Sequence, residues 1–132
     1  MNGLDFNRHG IPHLLRAAQE GIVFALRYGL EIMQGIGLQT RTVRAGRANM
    51  FRSPLFREAF ATATGTRVEL FDTDGAQGAA RGAGVGAGIY PSANEAFVGL
   101  QSVHTEEPAA DKAAAYEDAY GAWKETLVKT LR

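Results

Sequence analysis

The stretch from Val43 to Phe56, VRAGRANMFRSPLF, has the residue types and spacing best suited to chemistry. A short apolar strand runs into Gly46 and then into a Ser-Pro helix start, with FDTDGAQGAARGAGVGAGIY downstream. A strand that ends in glycine and opens a helix aims backbone N–H groups at one spot, which is the geometry a nucleotide phosphate or ribose needs. The same glycine also suits an ordinary strand-to-helix loop. Arg41, Arg44, Arg47, Arg52 and Arg57 gather around the turn, where they either attract a triphosphate or stay solvated.

Other constellations carry less. Gly82, Gly84, Gly86 and Gly88 would need a preceding strand and a following helix to be a dinucleotide fingerprint, but small residues precede them and Pro91 follows, so close helix packing is the better reading. Asp72 and Asp74 lack the further carboxylates of a calcium loop, and Asp74 has a helix to cap. His9, His13 and His104 are scattered, without the spacing of a zinc site, and no serine or threonine sits in a nucleophile elbow. The absence of cysteine excludes a disulfide framework, a thiolate metal site and a cysteine nucleophile.

Several elements must position the Gly46 turn. Residues 12 to 34 place Leu15, Ala18, Ile22, Leu26, Gly29 and Met33 at helical spacing, with Leu14, Ala17, Phe24, Tyr28 and Ile32 widening the arc. This predicts a long, mostly buried helix with Arg16, Glu20, Arg27 and Glu31 on a narrow polar stripe in water. Residues 40 to 45 read as a strand, Ser53 with Pro54 starts a helix that Gly65 ends, and Arg67 to Phe71 reads as a second strand. Strand, helix, strand in this order predicts a parallel crossover. Asp74 with Gln77 reads as a capping box before a small-residue helix. A looser stretch runs through residues 105 to 108, and Tyr116, Tyr120, Trp123, Leu127 and Leu131 then line a final helix.

At 132 residues the chain is sized for one core. Its 14 basic and 14 acidic residues cancel without long blocks, which disfavours a nucleic-acid or acidic-membrane partner. No apolar run is long enough to span a bilayer, and MNGLDFNRHG lacks a secretory core, so a cytoplasmic location is expected.

Gly3-Leu4, followed by His13-Leu14-x-x-Ala17-Ala18-Gln19-Glu20, resembles the C-terminal signature of the FGGY carbohydrate kinases, with Gln19 where an apolar residue is usual. The glycine turn, the small-residue helix and the tyrosine-bearing last helix follow that family in order. The wording AGRANMFRSPLF with TDGAQGAARGAGVGAGIY is most similar to the branch of bacterial xylulokinases, which phosphorylate D-xylulose with ATP and magnesium. The resemblance implies an α/β fold, a partial actin-like ATPase (RNase-H-like) domain with two parallel strands and about four helices. Residues 1–132 would be the C-terminal portion of the second, ATP-side domain.

By position, Gly46 and Arg47 fall where the family usually has two glycines contacting the nucleotide, and Ala48 follows as expected. Phe51 falls where several members place an adenine-contacting asparagine, a role Asn49 is placed to take. The family's aspartate base, its Asp-Gly-Thr loops and its sugar contacts lie upstream of Met1. The resemblance therefore implies ATP and magnesium in a full-length parent, no tightly bound cofactor here, sugar only with the missing domain, and no turnover by this chain alone. Two rival readings stay open: a self-associating interaction module without enzymatic activity, and an independent small nucleotide-binding protein. Two strands with unpaired edges also predict exposed apolar surface.

Overall fold

The computed structural model describes residues 3–131; Met1, Asn2 and Arg132 lie outside the described residues. Its centre is helix α2, Pro54–Thr64, which follows strand β1, Thr42–Gly46, and precedes strand β2, Arg67–Phe71. Local chemistry sets both ends of α2. The Ser53 hydroxyl accepts a hydrogen bond from the Phe56 N–H at 3.3 Å, and Gly65 closes the helix with a left-handed φ of 65°. The Ser53 hydroxyl also donates to Gln19 Oε1 at 2.7 Å, which gives a polar residue at position 19 a partner. Between these caps Phe56, Ala59, Phe60, Ala61, Thr62 and Ala63 are buried.

Strands β1 and β2 pair in parallel, with Thr42 beside Arg67 and Gly46 beside Phe71, as the crossover predicts. Val68 and Leu70 of β2 are buried against the same core as α2. The sheet has three strands, however, not two. Strand β3, Ser102–Glu106, runs antiparallel to β2 and occupies part of the stretch expected to be loose. Four of its five residues are exposed, so no buried alternation marks it in the sequence, and only the ladder to β2 makes it a strand. The fold is thus a mixed sheet in the order β1-β2-β3 with five α-helices among the described residues.

Helix α1, Ile11–Gly35, buries far less of its apolar arc than expected, although Phe24 of that arc is buried. Only Val23 and Phe24 are buried, whereas Ile11, Leu15, Ile22, Leu26, Ile32 and Met33 are exposed. The charged stripe lies against the last helix, α5, Ala113–Thr130, and that helix supplies the reason. Arg27 stacks 3.8 Å over the Tyr120 ring and bonds Glu117 at 2.7 Å, Lys124 bonds Glu31 at 2.7 Å, and Arg16 donates to the Tyr116 hydroxyl at 3.3 Å. The aliphatic stems pack and the charged heads find partners, so this side can be covered. The expected pairs Arg16–Glu20 and Arg27–Glu31 form at 2.7 and 3.5 Å.

On α5, Tyr116 and Tyr120 are buried, Trp123 is half-buried and Leu131 is exposed, so its N-terminal half does the docking. Helix α3, Gly75–Gly86, is capped by Asp74, whose Oδ1 accepts from the Gln77 N–H at 2.9 Å; the Gln77 side chain meets the Thr73 hydroxyl at 3.5 Å. Its glycines do not all meet a neighbour. A Cβ at Gly84 would stand 2.7 Å from the Tyr90 ring, whereas at Gly75, Gly78, Gly82 and Gly86 it would face open space. Helix α4, Ala93–Ala96, is the element on which α3 chiefly packs.

Candidate functional site

The site is built where two strand ends meet. After Gly46 the chain turns sharply, the Ala48 N–H donating to the Gly46 carbonyl at 2.7 Å and the Arg47 N–H to the Phe71 carbonyl at 3.0 Å. At the end of β2 the Thr73 N–H donates to the same Phe71 carbonyl at 2.8 Å. Asn49 then takes a left-handed φ of 50°, a conformation that asparagine tolerates better than most residues, and opens a 3-10 turn over Asn49–Arg52. A Cβ on Gly46 would stand 2.5 Å from the Thr73 carbonyl oxygen. Glycine is therefore required there by the neighbouring loop, whatever else the turn does.

Two cavities flank this contact. One, of about 650 Å³, lies among Gly46, Phe71, Thr73, Gly75, Phe97 and Leu100 and is mostly apolar. The other, of about 700 Å³, is polar, with Arg47 and Arg52 facing Asp72 and Asp74 and with Ala48, Asn49 and Gln77 beside them. Of the residues predicted for nucleotide contact, Gly46 thus borders the first and Arg47, Ala48 and Asn49 the second. Phe51 goes elsewhere. Its ring packs edge-on against Phe56 at 5.3 Å and Phe60 at 5.6 Å, in the core.

The five arginines divide in the same way. Arg44 pairs with Glu69 at 3.0 Å across the sheet. Arg57, with a side chain only 14% exposed, donates through Nη1 to the carbonyls of Phe51 at 2.9 Å and Arg52 at 3.1 Å, and so holds the 3-10 turn closed. Arg41 is exposed. Arg47 reaches Asp72 at 4.0 Å with both side chains largely exposed, a pairing that water screens heavily. Arg47 and Arg52 are therefore the two that present charge to the polar cavity.

Phe71, Thr73, Gln77, Phe97 and Leu100 escaped the sequence reading as site residues. A signal existed for the first three, because Phe71 to Gln77 repeats the arrangement at Val43 to Phe56: a strand end, a tight turn and a capped helix. No group of three or more His, Asp or Glu residues gathers to hold a metal among the described residues. His9 and His13 instead accept local N–H bonds through Nδ1, from Asp5 at 3.0 Å and Gly10 at 3.2 Å, and His104 pairs with Glu106 at 3.0 Å. No helix among the described residues is long and apolar enough to cross a membrane.

Parallel strands joined by a capped helix, each ending in a turn beside a shared cavity, form an α/β unit of the actin-like ATPase type. The chain belongs to the FGGY family of carbohydrate kinases, whose C-terminal domain matches residues 1–89. Among solved structures it is similar to a xyloylose kinase from Brucella ovis (27% identity, TM-score 0.78, 99% of this chain and 28% of that one). It is also similar in fold to a xylulose kinase from Rhodospirillum rubrum (23%, 0.77, 97% and 26%) and to Plasmodium falciparum glycerol kinase with ADP (21%, 0.70, 98% and 26%). The chain thus spans about a quarter of the length of these kinases, as their 26% and 28% coverage states. No curated protein matches it.

Proposed function

We propose that this chain is the adenosine side of the ATP cleft of an FGGY sugar kinase, xylulokinase-like in its wording, and that it does not transfer phosphate alone. The observation carrying this reading is the abutment of Gly46 on Thr73, with an apolar cavity on one side and, on the other, a polar cavity lined by Arg47, Arg52, Asp72 and Asp74. A purine would lie against Phe71 and Gly46 in the apolar cavity. The phosphates would extend toward Arg47, Arg52 and the amides after Gly46. Arg47 can leave its loose contact with Asp72 to meet them.

ATP would supply the phosphoryl group and magnesium would neutralise its charge, but phosphoryl transfer also needs a positioned acceptor and base. Those belong with the sugar, in the part of the kinases that this chain does not span. The reaction assigned to the parent is phosphorylation of D-xylulose, in a cytoplasmic setting.

Calorimetry with ATP should give weak, saturable binding that Arg47→Gly and Gly46→Val each alter, and no heat at millimolar ATP would overturn the nucleotide assignment. A coupled ATP-consumption assay with D-xylulose should be silent. Measurable turnover would overturn the claim that the chain is inactive alone.

A further inference from the structure

Strand β3 meets β2 through an irregular register. Leu70 pairs with His104, but Phe71 pairs with Ser102, so Val103 is the extra residue of a bulge. Consecutive residues of a regular strand face opposite sides of the sheet, and a bulge re-aims one of them. Val103 and His104 accordingly line the same cavity, of about 500 Å³, together with Leu70, Arg47, Arg52 and Arg57. This cavity shares Arg47 and Arg52 with the polar one beside Gln77, whereas Arg57, Val103 and His104 border it and not the other.

The charge here is one-sided. Three guanidinium groups line the cavity and no carboxylate does, whereas Asp72 and Asp74 stand among the arginines of the neighbouring one. Glu106 comes in from β3 to within 3.5 Å of Arg57 Nε and 3.0 Å of His104 Nε2, so one carboxylate is set against the three cations. The arginines differ in how firmly they are held. Arg57 is fixed by its two main-chain acceptors, and its enclosed Nε has no hydrogen-bond partner. Arg47 and Arg52 are exposed, and Arg47 has only its loose contact with Asp72.

A fixed guanidinium flanked by two movable ones suits an anion with several oxygen atoms, because each planar fork can meet a pair of them. One arginine already matches the two oxygens of a carboxylate; a phosphate has enough to use all three. We propose that the cavity between the 3-10 turn and β3 is a phosphate site, in which Arg57 is the fixed anchor and Arg47 and Arg52 close on the anion. The occupant is free phosphate or the phosphoryl end of a small organic phosphate, for which the cavity has room. This inference does not rest on nucleotide binding, since Arg57, Val103 and His104 play no part in that reading.

The test is titration of the full chain with inorganic phosphate, followed by amide NMR at fixed ionic strength. Saturable shifts are expected in residues 47–52 and 102–104. Val103→Glu, at an exposed position, should weaken binding by about tenfold, because it sets a like charge beside the anion. Arg52→Gln should weaken it too. Val128→Glu adds the same charge on α5, outside the cavity, and should leave binding unchanged. Ribose 5-phosphate identifies the source: tighter binding than inorganic phosphate assigns the site to an organic phosphate, and weaker binding to the free anion. Shifts that do not saturate, that lie elsewhere, or that respond alike to Val103→Glu and Val128→Glu overturn the proposal. Phosphate binding that persists in a chain giving no heat with ATP supports it and removes only the nucleotide assignment.

Discussion

Gly46 and Thr73 touch so closely that a Cβ on the first would stand 2.5 Å from the carbonyl oxygen of the second. Both partners are backbone, each fixed by hydrogen bonds to the Phe71 carbonyl or to the Gly46 turn, so neither can swing aside as a side chain would. Gly46→Ala should therefore cost about 1–3 kcal/mol of stability, the usual range for overpacking. Urea denaturation measures this directly. An unchanged midpoint would mean that the two loops part freely and do not form one rigid wall.

Arg57 holds the turn that carries Asn49 and Arg52, through two hydrogen bonds to main-chain carbonyls. Its Nε also lies 3.5 Å from Glu106 on β3, which links the turn to the far edge of the sheet. Arg57→Ala should cost about 1.5–3 kcal/mol, since the lost bonds involve a charged donor. Amides of residues 49–53 should lose more exchange protection than those of α1. Equal loss across the chain would assign Arg57 to general packing instead.

The uneven burial along α1 predicts opposite outcomes two residues apart. Phe24 is 5% exposed and packs on Tyr120 and Trp123, so Phe24→Ala should destabilise by about 3–5 kcal/mol. Leu26 is 44% exposed, so Leu26→Ala in the isolated chain should stay within about 0.5 kcal/mol of the unmodified protein. Comparable losses at both positions in thermal unfolding would contradict the described orientation of the helix.

Acid should loosen the α1–α5 contact. Burial pushes the Glu31 carboxyl up, but its bond to Lys124 and the charge of Arg27 outweigh this and hold it below its ordinary 4.5. A carboxylate with a lowered folded pKa contributes stability that is fully present above 4.5 and is lost as the pH falls through the folded value. Tyr120 moves the other way: burial, and then the nearby Glu31 carboxylate, keep its hydroxyl protonated well into alkali. Stability measured from pH 6 down to pH 3 should therefore fall less in Glu31→Gln than in the unmodified chain. Parallel pH profiles would show that the pair contributes nothing.

The sequence was most readable where the structure depends on local chemistry. Ser53, Pro54 and Gly65 bound α2 as they stand, and Asp74 caps α3, because each acts on backbone within a few residues. Strand β3 was not readable. Ser102 to Glu106 is almost entirely exposed, and its conformation is set by β2, more than 30 residues earlier by the pairing of Val68 with Glu106. Helix α1 was half readable, since periodicity separates two faces but does not say which neighbour is present. At the site, Gly46 and Asn49 declare themselves by their backbone needs, whereas Phe51 is indistinguishable in sequence from a ligand contact until Phe56 and Phe60 claim it.

The bonds from α1 to α5 have a topological consequence. They join residues 90, 93 and 100 positions apart, Arg27 to Glu117, Glu31 to Lys124 and Arg16 to Tyr116. The polypeptide is in effect a ring fastened by its two long helices, and closing so long a loop is entropically expensive. Damage at one extremity is therefore felt at the other: cleavage near Gly121 would remove Lys124 and its bond to Glu31, leaving Glu117 and Tyr116 to hold Arg27 and Arg16.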